Sequence, residues 1–160
     1  MASIESIEGI GATYAKRLRA AGVGSTEALL RKGSGKRGRE ALAQELGLSA
    51  GAISEWVNRA DLMRVKGVGS EYSDLLEAAG VDSVKELRNR NAANLTAKLA
   101  EVNDLAIKKG KKSIVRRVPA ESMVERWVAH AKRLPTVTPG AGGVEQLLDA
   151  AAVAWPDGGR

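Results

Sequence analysis

Apolar positions in this chain recur at helical intervals, and glycine or serine punctuates them. Tyr14, Ala15, Leu18 and Ala21 share one face of a helix predicted over 12–21, and Gly22 supplies its left-handed stop. Ser25 is placed to accept backbone N–H bonds as the N-cap of a second short helix through Leu29. The period resumes with Ala41, Leu42, Glu45 and Leu46, breaks at Gly47, and restarts after Ser49 with Ile53, Trp56, Val57 and Ala60 on one face. Between these helices the run Arg31–Arg39 holds three glycines and five basic residues and reads as a flexible, positive loop.

The same order then returns. The block from Ile7 to Leu29 recurs 58 positions later as Val65 to Leu87, with ten identical positions that include Gly9/Gly67, Gly11/Gly69, Tyr14/Tyr72, Leu18/Leu76, Gly22/Gly80 and Ser25/Ser83. Two spaced glycines and a tyrosine at matching offsets mark a duplication, and the repeat sets the architecture. In the second copy Leu95, Leu99 and Val102 form the middle helix, and Lys108–Lys112 opens a second basic loop. The last helix carries Trp127 where the first copy has Trp56, with Pro119 at its start. Those tryptophans are 71 apart, so the second copy carries an insertion of 13 residues.

After Leu134 a Gly/Pro linker precedes a short amphipathic helix with Val144, Leu147, Leu148 and Trp155 on one stripe. The expected organisation is a first unit over 1–61, a second over 62–134, and a linker with a C-terminal helix over 135–160. The fold class is all-α: with 44% hydrophobic but only 3% aromatic residues, Leu, Val, Ile and Ala must fill the interior.

Composition removes several chemistries. With no cysteine and one histidine, His130, the chain cannot build thiolate metal sites or most His-based catalytic designs. His130 has no partner cluster in the sequence. No signal-peptide pattern or 18-residue apolar segment occurs, which predicts a cytoplasmic protein without membrane insertion. The net charge of +6 favours polyanionic partners. It is concentrated in 62–134, where 15 basic residues face nine acidic ones.

The strings Ile7-Glu8-Gly9-Ile10-Gly11 and Val65-Lys66-Gly67-Val68-Gly69, each followed by a helix, carry the pattern hydrophobic-x-Gly-hydrophobic-Gly. By it the chain resembles the helix-hairpin-helix superfamily. Each repeat also looks like the helical domain at the N-terminus of archaeal-type recombinases, and residues 4–134 resemble a bacterial family of tandem helix-hairpin-helix proteins known only as a domain of unknown function. The fold implied is two tandem helix-hairpin-helix units packed together.

The glycines have a physical reading of their own. They let the backbone turn tightly and approach a ligand, while Gly11, Ala12 and Thr13 present unpaired N–H groups at the positive end of a helix, a ready phosphate site. The resemblance implies contacts to the DNA backbone that read no sequence, sometimes with a monovalent cation held by hairpin carbonyls. The candidate nucleic-acid set is therefore Gly9, Gly11, Ala12, Thr13, Lys16 and Arg17 in copy one and Lys66, Gly67 and Gly69 in copy two. Lys36, Arg37, Arg39, Lys108, Lys109, Lys111 and Lys112 complete it as electrostatic arms.

The copies are not equivalent: Lys16 and Arg17 are replaced by Asp74 and Leu75, and Glu71 stands beside the second set of amides. Hairpin one is thus the better phosphate site. Tyr14, Tyr72, Trp56 and Trp127 are read as packing residues. The main reading is sequence-nonspecific binding of nucleic acid, double-stranded DNA foremost. The alternative is a protein-interaction or scaffold module docking a partner through its helical units and through Val144, Leu147, Leu148 and Trp155. No metal, cofactor or catalytic set is expected, and a lyase acting through an exposed lysine is the residual enzymatic reading.

Overall fold

The computed structural model describes residues 2–136, and the expected C-terminal helix with Val144, Leu147, Leu148 and Trp155 lies outside them. The chain is all-α: after a 3-10 turn at Ile4–Ser6 come α1 (Ala12–Ala20), α2 (Thr26–Gly33), α3 (Lys36–Leu46), α4 (Ala50–Leu62), α5 (Ser70–Ala78), α6 (Val84–Leu87), α7 (Ala92–Lys108) and α8 (Glu121–Arg133).

Local chemistry sets the helix ends. The side chains of Ser25, Ser49, Ser83 and Asn91 accept the amides of Ala28, Ala52, Glu86 and Asn94 and so start α2, α4, α6 and α7. α1 and α5 end through left-handed Gly22 and Gly80, at φ +86° and +91°. The turn into the next helix is then held by a basic residue further along, in the last turn of α2 in one copy and three residues past α6 in the other. Lys32 donates to the carbonyl of Ala21 at 2.6 Å, and Arg90, 58 positions on, donates to that of Gly80 at 3.3 Å. The expected helix start at Pro119 moves two residues: Pro119 precedes the N-cap Ala120 and stands outside α8.

Two apolar cores follow the duplication. Ile4, Ile7, Leu18, Leu29, Leu30, Ile53, Trp56 and Val57 centre the first; Val65, Leu75, Leu76, Leu87, Leu99, Val124 and Trp127 centre the second. Trp56 and Trp127 are buried as expected, and each takes a tyrosine at its edge, with ring centroids 5.7 Å (Tyr14) and 5.1 Å (Tyr72) apart.

The run Arg31–Arg39 is not a loop. α2 continues to Gly33 and α3 begins at Lys36, so only Ser34 and Gly35 separate them. Its glycines serve close packing. A β-carbon on Gly38 would stand 1.7 Å from the Lys32 carbonyl oxygen, and one on Gly33 would stand 2.6 Å from Val57 Cγ2. Arg39 is buried and donates to the carbonyls of Gly33 and Ser34, satisfying the end of α2. Arg31 pairs with Glu27 at 2.9 Å. A composition of glycine and cations resembles a linker, yet here Arg39 holds a tight helical corner, while Arg31 and Lys32 are engaged along α2 and at the turn before it.

The second basic segment, after α7, does lack regular structure, but it is tied down. The buried Asn103 accepts the amides of Ile114 and Val115 and donates to the carbonyl of Val115, and Tyr72 donates to the carbonyl of Arg117. The free arm expected there is instead an anchored loop that presents Lys109, Lys111 and Lys112 to solvent.

Polar residues join the two halves. Asp61, at the end of α4, bonds Arg64 at 2.7 Å and caps α6 by accepting the Val84 amide at 2.8 Å. Both members of that pair are fully buried, and burial pushes the Asp61 carboxyl above its ordinary range although Arg64 opposes the shift. In the first copy the amide of Thr26 is met by the carbonyl of Ala2. A carboxylate in the second copy thus takes the place of a backbone carbonyl in the first.

Candidate nucleic-acid interface

The two hairpins have one design. Gly9 and Gly67 lie at φ +93° and +91°, a region that disfavours every residue with a β-carbon. A β-carbon would also stand 3.4 Å from Trp56 Nε1 at Gly9 and 3.1 Å from Trp127 Nε1 at Gly67. These two glycines, offered by the sequence as ligand contacts, are accounted for by the turn and the indole it packs on.

Gly11 and Gly69 differ. Both have extended backbone, at φ −81° and −100°, and a β-carbon on either would meet nothing within 4 Å. Nothing in the fold demands glycine there. The result is that α1 and α5 begin without a side-chain cap, as do α3 and α8, whereas α2, α4, α6 and α7 are capped. Gly11, Ala12 and Thr13 are exposed, so the first amides of α1 face solvent at the positive end of the helix. Lys16 and Arg17 are exposed on the next turn, and neither has a carboxylate partner among the described residues. Arg17 rests over the Tyr14 ring at 5.9 Å, which holds its stem while leaving the charge in water.

Hairpin two is built into the protein. Asp74, which stands where copy one has Lys16, pairs with Arg59 of α4 at 3.0 Å, and Glu77 joins the same guanidinium at 3.3 Å. Arg59 also donates to the carbonyl of Glu8 in hairpin one at 2.9 Å, so one side chain fastens both halves. Burial raises the carboxyl groups of Asp74 and Glu77; Arg59 opposes the rise at both, while Glu8 adds to it at Asp74 and Glu55 at Glu77. Asp74 was expected to repel phosphate. Its charge is instead spent on Arg59, and Glu71 alone remains exposed beside the amides of α5. The Glu8 carbonyl, one of those a hairpin cation would use, already has a cationic partner.

His130, read from the sequence as lacking a partner cluster, has one backbone partner: its Nδ1 accepts the Lys66 amide of hairpin two at 3.0 Å. The sequence held a signal for this contact. The offset of 71 that pairs Trp56 with Trp127 also pairs Arg59 with His130, and the offset of 58 pairs Glu8 with Lys66. In each half, therefore, the residue three past the tryptophan clamps the second residue of the hairpin string. Arg59 does so at a carbonyl and His130 at an amide. Burial, then the charges of Arg133, Arg64 and Lys66, hold the His130 imidazole below its ordinary pKa.

Of the remaining expected cations, Lys36 and Arg37 are exposed on the first turn of α3, which packs against α1. Lys108 pairs with Asp104 at 3.1 Å. Among the described residues no three His, Asp or Glu side chains group as metal ligands, and no helix is long and apolar enough to cross a membrane.

Residues 8–134, which span both hairpins, match the family described as Domain of unknown function (DUF4332). No curated protein and no solved structure matches the chain.

Proposed function

We propose that this chain, which belongs to the DUF4332 family, binds nucleic acid without reading its sequence, double-stranded DNA foremost, as a tandem helix-hairpin-helix protein. The observation that carries the reading is the open start of α1. Exposed amides at Gly11, Ala12 and Thr13 have no capping side chain, and two unpaired cations, Lys16 and Arg17, follow one turn later. A backbone phosphate accepting from those amides gains from the helix dipole and from both side chains. Lys36, Arg37, Lys109, Lys111 and Lys112 add longer-range attraction that salt screens. None of these groups is placed to read base edges, so register would follow phosphate spacing.

The test is fluorescence anisotropy on unrelated labelled duplexes at three salt concentrations, with Gly11→Asp and Gly69→Asp beside the parent. Aspartate is a good N-cap, so the first variant stays folded while setting a carboxylate on the phosphate amides. Binding should fall steeply with salt and drop at least tenfold in Gly11→Asp, with a smaller loss in Gly69→Asp. Equal losses, or no binding by the parent at low salt, would end the proposal.

A second reading has its own observation. Leu105, Ile107 and Val118 are exposed large apolar side chains near the end of α7 and in the loop after it, Leu105 and Ile107 on different faces of the helix, and a protein partner is the kind of ligand that would cover them. If duplex binding fails, Leu105→Asp and Ile107→Asp are the variants with which to examine partner capture.

A further inference from the structure

We infer that the cleft between hairpin two and α8 is a separate binding site for a small phosphomonoester of nucleotide size, distinct from the duplex contact at hairpin one. The cleft has a volume of about 660 Å³, inside the range of roughly 300–1,000 Å³ usual for small-molecule sites. Met123, Arg126, His130 and Arg133 form one stripe of α8 along its wall, and Lys66 closes it from the hairpin. Lys66, Arg126 and Arg133 are exposed and none has a carboxylate partner among the described residues. Among the described residues no carboxylate lines the cleft. Three unbalanced cations around a concavity with Met123 and the edge of Trp127 at its floor suit an anionic group attached to an apolar body.

The duplication supplies an internal control. The positions in unit one that correspond to Lys66 and Arg126 are Glu8 and Glu55, and the counterpart of Arg133 is Leu62, which ends α4 and is buried in the second core. The matching positions thus hold two carboxylates and an apolar side chain where the cleft has three cations, so the repeat itself does not demand the positive lining. His130 has also replaced Arg59. That exchange leaves a neutral ring whose Nε2 is free to face an anion, since its Nδ1 holds the Lys66 amide. The groups around that ring are Arg126 and Arg133, one turn before it and three residues after it on its own helix, and Arg64 and Lys66 from the α4–α5 connection. All are cationic, with Arg64 neutralised by Asp61. Burial first, and then the charges of Arg133, Arg64 and Lys66, lower the pKa of His130.

The sole histidine makes the experiment direct, because one imidazole resonance reports on the cleft. The full chain is titrated by NMR with adenosine 5′-monophosphate, inorganic phosphate and adenosine at matched ionic strength. The expected result is a saturable His130 shift with the nucleotide, weaker binding of phosphate, no effect of adenosine, and an upward move of the His130 pKa on saturation. Equal affinity for phosphate and nucleotide would support the phosphate site and assign no contact to the rest of the ligand. Arg126→Ser and Arg133→Ser, both at exposed positions, should each lower affinity by about tenfold. A linear, unsaturable shift, an equal response to adenosine, or affinity unchanged in both variants would overturn the inference. Gly11→Asp separates it from the duplex proposal, since that variant should lose DNA binding and keep the nucleotide response.

Discussion

Replacing Arg59 by alanine tests whether the two halves are held as one body by a polar seam. The side chain is 17% exposed and joins three acceptors: the Glu8 carbonyl, Asp74 at 21% exposure and Glu77 at 26%. Hydrogen bonds to charged groups contribute about 1.5–3 kcal/mol each, but the two to Glu8 and Glu77 and the ion pair to Asp74 share one partly solvated guanidinium and do not add. We expect a loss of about 2–3 kcal/mol at pH 7, less than the roughly 3–5 kcal/mol of a fully buried broken pair. That corresponds to a fall of roughly 5–10 °C in Tm for a chain of this size. The deficit should also depend on pH. Asp74 and Glu77 already have folded pKa values above their unfolded ones, and Arg59 is what limits the rise. Without it they rise further, so the folded state binds more protons than the unfolded chain between the ordinary carboxylate range and the raised values. Stability of the variant then increases as pH falls through that window, and its deficit against the parent shrinks. Urea unfolding followed by circular dichroism at pH 7 and at mildly acidic pH measures both effects. A deficit below about 0.5 kcal/mol, or one of the same size at both pH values, would refute the reasoning.

Three further outcomes are expected. Gly38→Ala should cost about 3 kcal/mol despite alanine's better helix propensity, because the new methyl meets a backbone carbonyl that cannot rotate away; an unchanged Tm would show that α2 and α3 are not apposed there. Asn103→Ala removes three hydrogen bonds to the α7–α8 loop and should cost about 2–3 kcal/mol, with limited trypsin cleavage appearing first at Lys111 and Lys112. Cleavage elsewhere first would contradict this role. For His130 the folded pKa lies below the unfolded value, so the unfolded chain binds more protons between the two. Its contribution is present above the unfolded pKa and lost as pH falls through that window. His130→Asn, which keeps an acceptor for the Lys66 amide, should flatten that pH dependence as read by thermal unfolding; an unaltered profile would assign it to another group.

The all-α class, the duplication, the serine caps and the paired tryptophans were legible in the chain because each depends on residues a few positions apart, or on an offset that repeats. Helical period, a hydroxyl before a helix and a glycine after it act locally, whatever surrounds them. The hairpin string was legible too, but it gave no means of separating its glycines. Gly9 and Gly67 are bound to a left-handed turn against an indole, while Gly11 and Gly69 are sterically unconstrained, a distinction that needs the position of another helix. The same holds for charge. Arg31, Lys32 and Arg39 looked like solvated loop cations, Asp74 like an anion that repels phosphate and His130 like a bystander, because formal charge along a chain carries no information about partners. Arg39 finds carbonyls five and six residues away, Asp74 finds Arg59 across the seam, and His130 finds an amide 64 residues back. The sequence by itself determined which segments coil and that they do so twice. Which cations remain unpaired, at the start of α1 and in the cleft beside α8, was decided only when packing brought distant donors and acceptors within reach, since pairing depends on distance in space and not along the chain.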